Sequence, residues 1–196
     1  MDELNHVERF RAVMGFKPLD RLPTWEWAMW WDETIGRWHR EGLPAELTVA
    51  EDMSYNHGPM ISRRVFDEFM APYYRRWLER VKELDVLTIV DTDGDVTLLV
   101  PWLQAVGVDG VLPLERQAGV DGMALRRRYP GLRMVGHFDK MVMNRGEAAI
   151  RGEFERLLPL VSSGGFIPSV DHQTPPGVSL EQYRVYLRLL AEYARR

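Results

Sequence analysis

VLTIVDTDGDV, residues Val86 to Val96, passes from β-branched and aliphatic side chains directly into three aspartates, Asp91, Asp93 and Asp95, with Gly94 among them. A short apolar run, a glycine turn and then a helical pattern together predict a buried parallel strand entering a βα loop. Carboxylates bunched where such a strand ends do nothing for the sheet. In parallel βα architectures the carboxyl ends of the strands are where ligands bind. The stretch therefore reads as one wall of a site.

Upstream, Phe66, Phe69, Met70, Tyr73, Trp77, Leu78 and Val81 keep helical spacing, predicting a long helix from Arg63 to Leu84 with Ser62 as N-cap and a kink at Pro72. Before it, Thr48 to Met53 is a short strand ending in Glu51 and Asp52. SYNHGP then reads as a loop carrying His57. Leu22 to Trp27 forms a first strand or extended segment, preceded by a helix over Asn5 to Met14. Most of the seven tryptophans lie between Trp25 and Trp38, enough apolar surface for a pocket wall or a subunit contact.

Downstream, strands and helices alternate. A helix over Thr97 to Val106, interrupted by Pro101, leads to a strand at Gly110 to Leu114 that ends at Glu115. A helix over Val120 to Tyr129 leads to a strand at Leu132 to Val135, ending in Gly136-His137-Phe138-Asp139. The helix Glu147 to Val161 is closed by Gly164-Gly165. The strand Phe166 to Val170 ends in Asp171-His172, and Ser179 with Gln182 forms a capping box for a last helix, Leu180 to Tyr193. Such alternation predicts an α/β fold with parallel strands joined by right-handed crossovers. About six strands are fewer than a closed eight-stranded barrel needs. The expectation is a single domain, residues 1–196, with a TIM-barrel-like parallel β/α fold that is incomplete.

Composition bounds the function. A net charge of −4 over 196 residues gives no electrostatic case for nucleic acid. The absence of cysteine excludes disulfides, thiolate metal sites and a cysteine nucleophile. The polar N-terminus is no signal peptide, and no apolar run approaches the ~20 residues of a membrane helix. A cytoplasmic protein without membrane partner is expected. P-loop, Rossmann, HExxH and GxSxG patterns are missing.

What remains is a rim of titratable groups: Glu51 and Asp52, Asp91 and Asp93, Glu115, His137 and Asp139, Asp171 and His172. Converging carboxylates raise a pKa, attract a cation or hold a metal. Asp91, Asp93, Asp139 and His172 are the candidate catalytic residues. Glu51, Asp52, His57, Glu115, His137, Trp25 and Trp27 are the candidate substrate-binding ones. Asp91, Asp93 and His172 form a possible metal set for a divalent ion. Asp95, Asp109 and Asp121 read instead as turn or helix caps.

Several segments resemble the uroporphyrinogen decarboxylase superfamily, which includes cobalamin- and coenzyme M-dependent methyltransferases. They are NHVERFRAVMGFKPLDRLP, EDMSYNHGPMISRRVFDEFMAPYYRRW, VDTDGDVTLLVPWLQAVGVDGVLPLE, AGVDGMALRRRYPGLRMVGHFDK and GGFIPSVDHQTPPGVSLEQYRVYLRLL. The resemblance keeps segment order over nearly the whole chain. It implies a TIM barrel with its site at the strand carboxyl ends, and a small-molecule methyltransferase or lyase, with a corrinoid or tetrapyrrole as the implied ligand class. The departures are specific. At WHREGLPAELTVAEDM the chain passes from the first strand to what resembles the fourth, so the second and third βα units are missing. WEWAMWWDE stands where the decarboxylases carry an arginine-rich motif, and their catalytic aspartate belongs to the missing part. Asp91-x-Asp93 stands where the zinc methyltransferases place His-x-Cys. The resemblance thus does not extend to uroporphyrinogen decarboxylation or to zinc activation of a thiol. The alternative is a non-catalytic tetrapyrrole- or metal-binding module, or a support for a partner. Open strand edges in a shortened barrel favour association, so a homodimer is expected.

Overall fold

A computed structural model describes residues 4–23, 33–34, 37, 40–41, 52–83 and 87–195. Glu51, Trp25, Trp27 and most of the two strands expected at Leu22–Trp27 and Thr48–Met53 lie outside the described residues. The elements are α1 (His6–Met14), β1 (Ser54–Tyr55), β2 (Gly58–Pro59), α2 (Arg63–Val65), α3 (Ala71–Lys82), β3 (Ile89–Asp91), α4 (Val100–Val106), β4 (Gly110–Leu112), α5 (Gly122–Arg128), β5 (Arg133–Phe138), α6 (Glu147–Ser162), β6 (Phe166–Val170) and α7 (Leu180–Tyr193). A π-helical turn, Phe66–Met70, joins α2 to α3, and a 3₁₀ segment, Lys140–Arg145, follows β5. Strands β3, β4, β5 and β6 form a four-stranded sheet in that order. It is the parallel α/β fold expected from the alternation. The chain divides into two compact units, Ala50–Val135 and Met1–Val49 with Gly136–Arg196.

In the Ala50–Val135 unit, β3 pairs in parallel with β4, Asp91 opposite Leu112. Asp109 fixes the entry to both strands, its Oδ2 accepting from the Thr88 N–H and hydroxyl at 3.0 Å each. SYNHGP, read as a loop, is instead a tight antiparallel hairpin, β1–β2, with Asn56-His57 as its turn. Two-residue strands carry too few side chains to show alternation, so turn residues dominated the reading. Pro101 does not interrupt α4 but stands in its first turn, where its missing N–H costs nothing. Asp121 caps α5, accepting from the Ala124 N–H.

The long helix starts at the expected cap, Ser62, whose hydroxyl accepts from the Val65 N–H. Proline 72 has no N–H to give, and its ring crowds the carbonyl one turn back. The chain answers with the π turn, in which the Ala71 N–H reaches the Phe66 carbonyl. The expected apolar stripe is thereby divided. Phe66, Ala71 and Leu78 are buried, whereas Phe69, Tyr73 and Trp77 are exposed.

In the other unit a capping box of Asn5 and Glu8 starts α1, and the predicted box of Ser179 and Gln182 starts α7. Gly164 and Gly165 both take positive φ and end the run after α6, and a Cβ on Gly165 would overlap the Phe16 ring. Among the described residues near position 40, the Thr34 hydroxyl donates to the Thr174 carbonyl ahead of α7, and the Glu41 carboxylate accepts from the N–H of Leu180, the first residue of α7. The core of this unit is aromatic. Phe138 lies 4.6 Å from Phe154 and 4.9 Å from Tyr186 by ring centroid, and Phe154 stacks on Tyr193.

Buried Arg9 on α1 grips Asp20 with two guanidinium nitrogens, Nε at 2.9 Å and a terminal nitrogen at 2.5 Å. This hydrogen-bonded guanidinium lowers the Asp20 pKa to about 2. A carboxylate whose folded pKa is depressed stabilises the fold above its unfolded value and loses that contribution as pH falls through the folded one. Stability is therefore expected to drop between about pH 4 and pH 2. In Asp20→Asn that part of the acid dependence should disappear, at the cost of a lower midpoint at neutral pH. Urea midpoints measured across this range check it; an unaltered acid profile in the variant would refute it.

Candidate functional site

The carboxyl end of β3 is built by backbone bonds that the acidic loop itself supplies. Thr92 is fully buried, and its hydroxyl oxygen accepts from the N–H groups of Met53 at 3.0 Å and Ser54 at 2.9 Å. The hairpin is thus tied to the strand end. The Asp93 N–H donates to Asp52 Oδ1 and the Gly94 N–H to Glu115 Oε2, each at 3.1 Å. Gly94 takes φ +71°, and a Cβ there would sit 2.2 Å from the Tyr55 carbonyl, so only glycine fits. Asp95 turns the chain into the next helix, accepting from the Thr97 N–H, as its turn reading has it.

Of the acidic residues in this unit, Asp91 and Asp52 come together in the wall of one cleft of about 820 Å³. Oδ1 of Asp91 is shut off from solvent. The rest of the described lining is apolar or aromatic: the Met53, Met60, Ile61, Met70 and Val90 side chains, and Tyr73, Tyr74 and Trp77 from α3. Met70, Tyr73, Tyr74 and Trp77 follow i, i+3, i+4, i+7 spacing, one helical face. The sequence showed Met70, Tyr73 and Trp77 at helical spacing but gave no sign of a cleft. Glu115 holds the Gly94 N–H, and Asp93 is itself held by Asp52 through its backbone N–H; neither is among the described lining residues, and His57 is exposed in the hairpin turn. Thr92, which organises the strand end, was missed because a threonine inside a strand-like run reads as β propensity alone.

In the second unit the ends of β5 and β6 carry His137, Asp139, Asp171 and His172. His137 is buried at φ +66°, rare for a residue with a Cβ. Its carbonyl accepts from Arg156 at 2.7 Å, and Arg156 also grips Glu153. Glu153 in turn accepts from the Asp139 N–H, while the Asp139 side chain caps the 3₁₀ segment. Asp171 is fully buried. Its Oδ1 accepts from the Lys140 N–H at 3.0 Å and lies 3.6 Å from Lys140 Nζ, itself buried. His172 is half-buried. Lys140 escaped the sequence reading because nothing in GHFDK distinguishes an inward lysine from a surface one.

Among the described residues no three His, Cys, Asp or Glu side chains are grouped to hold a metal ion. The described lining of the cleft contains neither histidine nor thiol. Among the described residues no helix is long and apolar enough to cross a membrane.

The fold has a counterpart among solved structures. A methyltransferase from Methanosarcina mazei shares the fold with a TM-score of 0.51 at 16% identity, the match covering 68% of this chain and 38% of that one. This chain thus spans well under half of its relative's length. Among curated proteins none matches. The uroporphyrinogen decarboxylase (URO-D) family matches residues 45–193, most of the sequence, and the chain belongs to that family.

Proposed function

We propose that the cleft at the end of β3 binds a small organic molecule and acts on it as a methyltransferase or lyase, with Asp91 as the reacting carboxylate. One observation supports this above the others: Asp91 ends a parallel strand and opens into an apolar cleft instead of capping a helix. A carboxylate with one oxygen withdrawn from water is suited to hold or move a proton, or to hold a charge on the substrate. Aromatic walls exclude water and orient a flat or methylated substrate. Asp52, on the same wall, adds negative charge and steadies the loop through the Asp93 N–H.

The test is a turnover screen by ¹³C NMR over small methylated and carboxylated compounds, followed by Asp91→Asn. Turnover is expected to fall at least ~100-fold with little change in KM. Unchanged turnover would remove Asp91 from the chemistry. The absence of a histidine partner in the described lining favours a second reading, a binding module without catalysis. Its mark is ligand affinity lost in Asp91→Asn with no turnover in either protein.

A further inference from the structure

We infer that the cleft of the Ala50–Val135 unit takes an organic cation, and that a methylated ammonium is the head group it fits. The inference rests on the reading of this cleft as the ligand site and names the class of ligand.

Charge is the first ground. The described lining carries two carboxylates, Asp52 and Asp91, and no lysine, arginine or histidine. A neutral ligand pressed against Asp91 strips water from a carboxylate and returns at most a hydrogen bond. A cation compensates that loss. The second ground is the wall. Tyr73, Tyr74 and Trp77 present three rings from one face of α3, and tryptophan is the strongest of the aromatic partners for a cation. Trp77 is 54% exposed and Tyr73 73% exposed, so these rings are not spent on the unit's own core.

The same wall selects among cations. A metal ion needs several oxygen ligands, and no such group exists among the described residues. A primary ammonium is strongly hydrated and would give up that water to a lining that is mostly apolar, with only the two carboxylates and the tyrosine hydroxyls to accept its N–H groups. A quaternary or tertiary methylated ammonium has few or no N–H groups and spreads its charge over methyl surface. It can meet rings on one side and a carboxylate on the other. A cleft of about 820 Å³ leaves room for a head group and the molecule attached to it.

The experiment uses the full chain and two probes of equal shape, choline and 3,3-dimethylbutan-1-ol, in which carbon replaces the charged nitrogen. Calorimetry should show choline bound at least ~10-fold more tightly than the alcohol. Trp77→Leu, at an exposed position that leaves folding intact by circular dichroism, should weaken choline severalfold, and Asp52→Asn should do the same. Equal affinity for both probes, weakened together by Trp77→Leu, overturns the inference while leaving the cleft as a ligand site. No choline binding at tens of millimolar overturns it too, as does choline binding indifferent to both variants. If choline fails to bind and light scattering shows Trp77→Leu turning a dimer into a monomer, the face is a contact between copies and the inference falls. Choline bound as expected, beside turnover unaffected by Asp91→Asn, supports the inference and retires the catalytic reading instead.

Discussion

Replacing Lys140 with methionine is expected to lower the unfolding free energy by about 3–5 kcal/mol, the usual loss when one member of a buried ion pair is removed. Both partners are inside: the Lys140 side chain is 5% exposed and that of Asp171 0%. Methionine fills much of the lysine volume, so the loss would report charge and not a cavity. The double variant Lys140→Met with Asp171→Asn should regain most of it. Asparagine keeps an acceptor for the Lys140 N–H, and no buried charge is left over. Urea midpoints of the two single variants and the double variant form the test. A single-variant loss under about 1 kcal/mol would mean that the pair is solvated.

Phe138→Ala is expected to cost a similar amount, about 3–5 kcal/mol, through a different cause. The ring is fully buried and packs against Phe154 and Tyr186, which reach it from α6 and α7. Truncation leaves a void lined by rigid rings that cannot collapse into it. Phe138→Leu keeps most of the volume and should cost much less. Guanidinium titration with near-ultraviolet dichroism separates the outcomes; equal losses for alanine and leucine would rule out a packing origin.

The strands most legible in the sequence were those bounded by unambiguous punctuation. Phe166 to Val170 followed by Asp171 is β6 itself, and Val86 to Val90 followed by DTDGD overlaps β3, which runs from Ile89 to Asp91. Ser62, Ser179 and Asp121 acted as caps as their residue type and position required. The hairpin β1–β2 was illegible because its strands are shorter than one alternation period. Site residues divided by the same logic. Asp91 could be placed at the cleft wall because a strand end aims it, whereas the bonds of Glu115 to the Gly94 N–H and of the Asp93 N–H to Asp52 follow no pattern in the sequence. The inward course of Lys140 depends on Asp171, 31 residues further on, a tertiary fact with no local trace.

The five residues from Phe66 to Met70 make room for one more residue than an α-helix would, and this sets the direction of everything after them. One added position turns the downstream helix by about 100° about its axis. With that turn, Tyr73 and Trp77 look outward; without it, they would rotate toward the ground that Leu78 now holds. Wound as a plain α-helix, the same sequence would turn these rings into the interior and fill the recess with its own side chains.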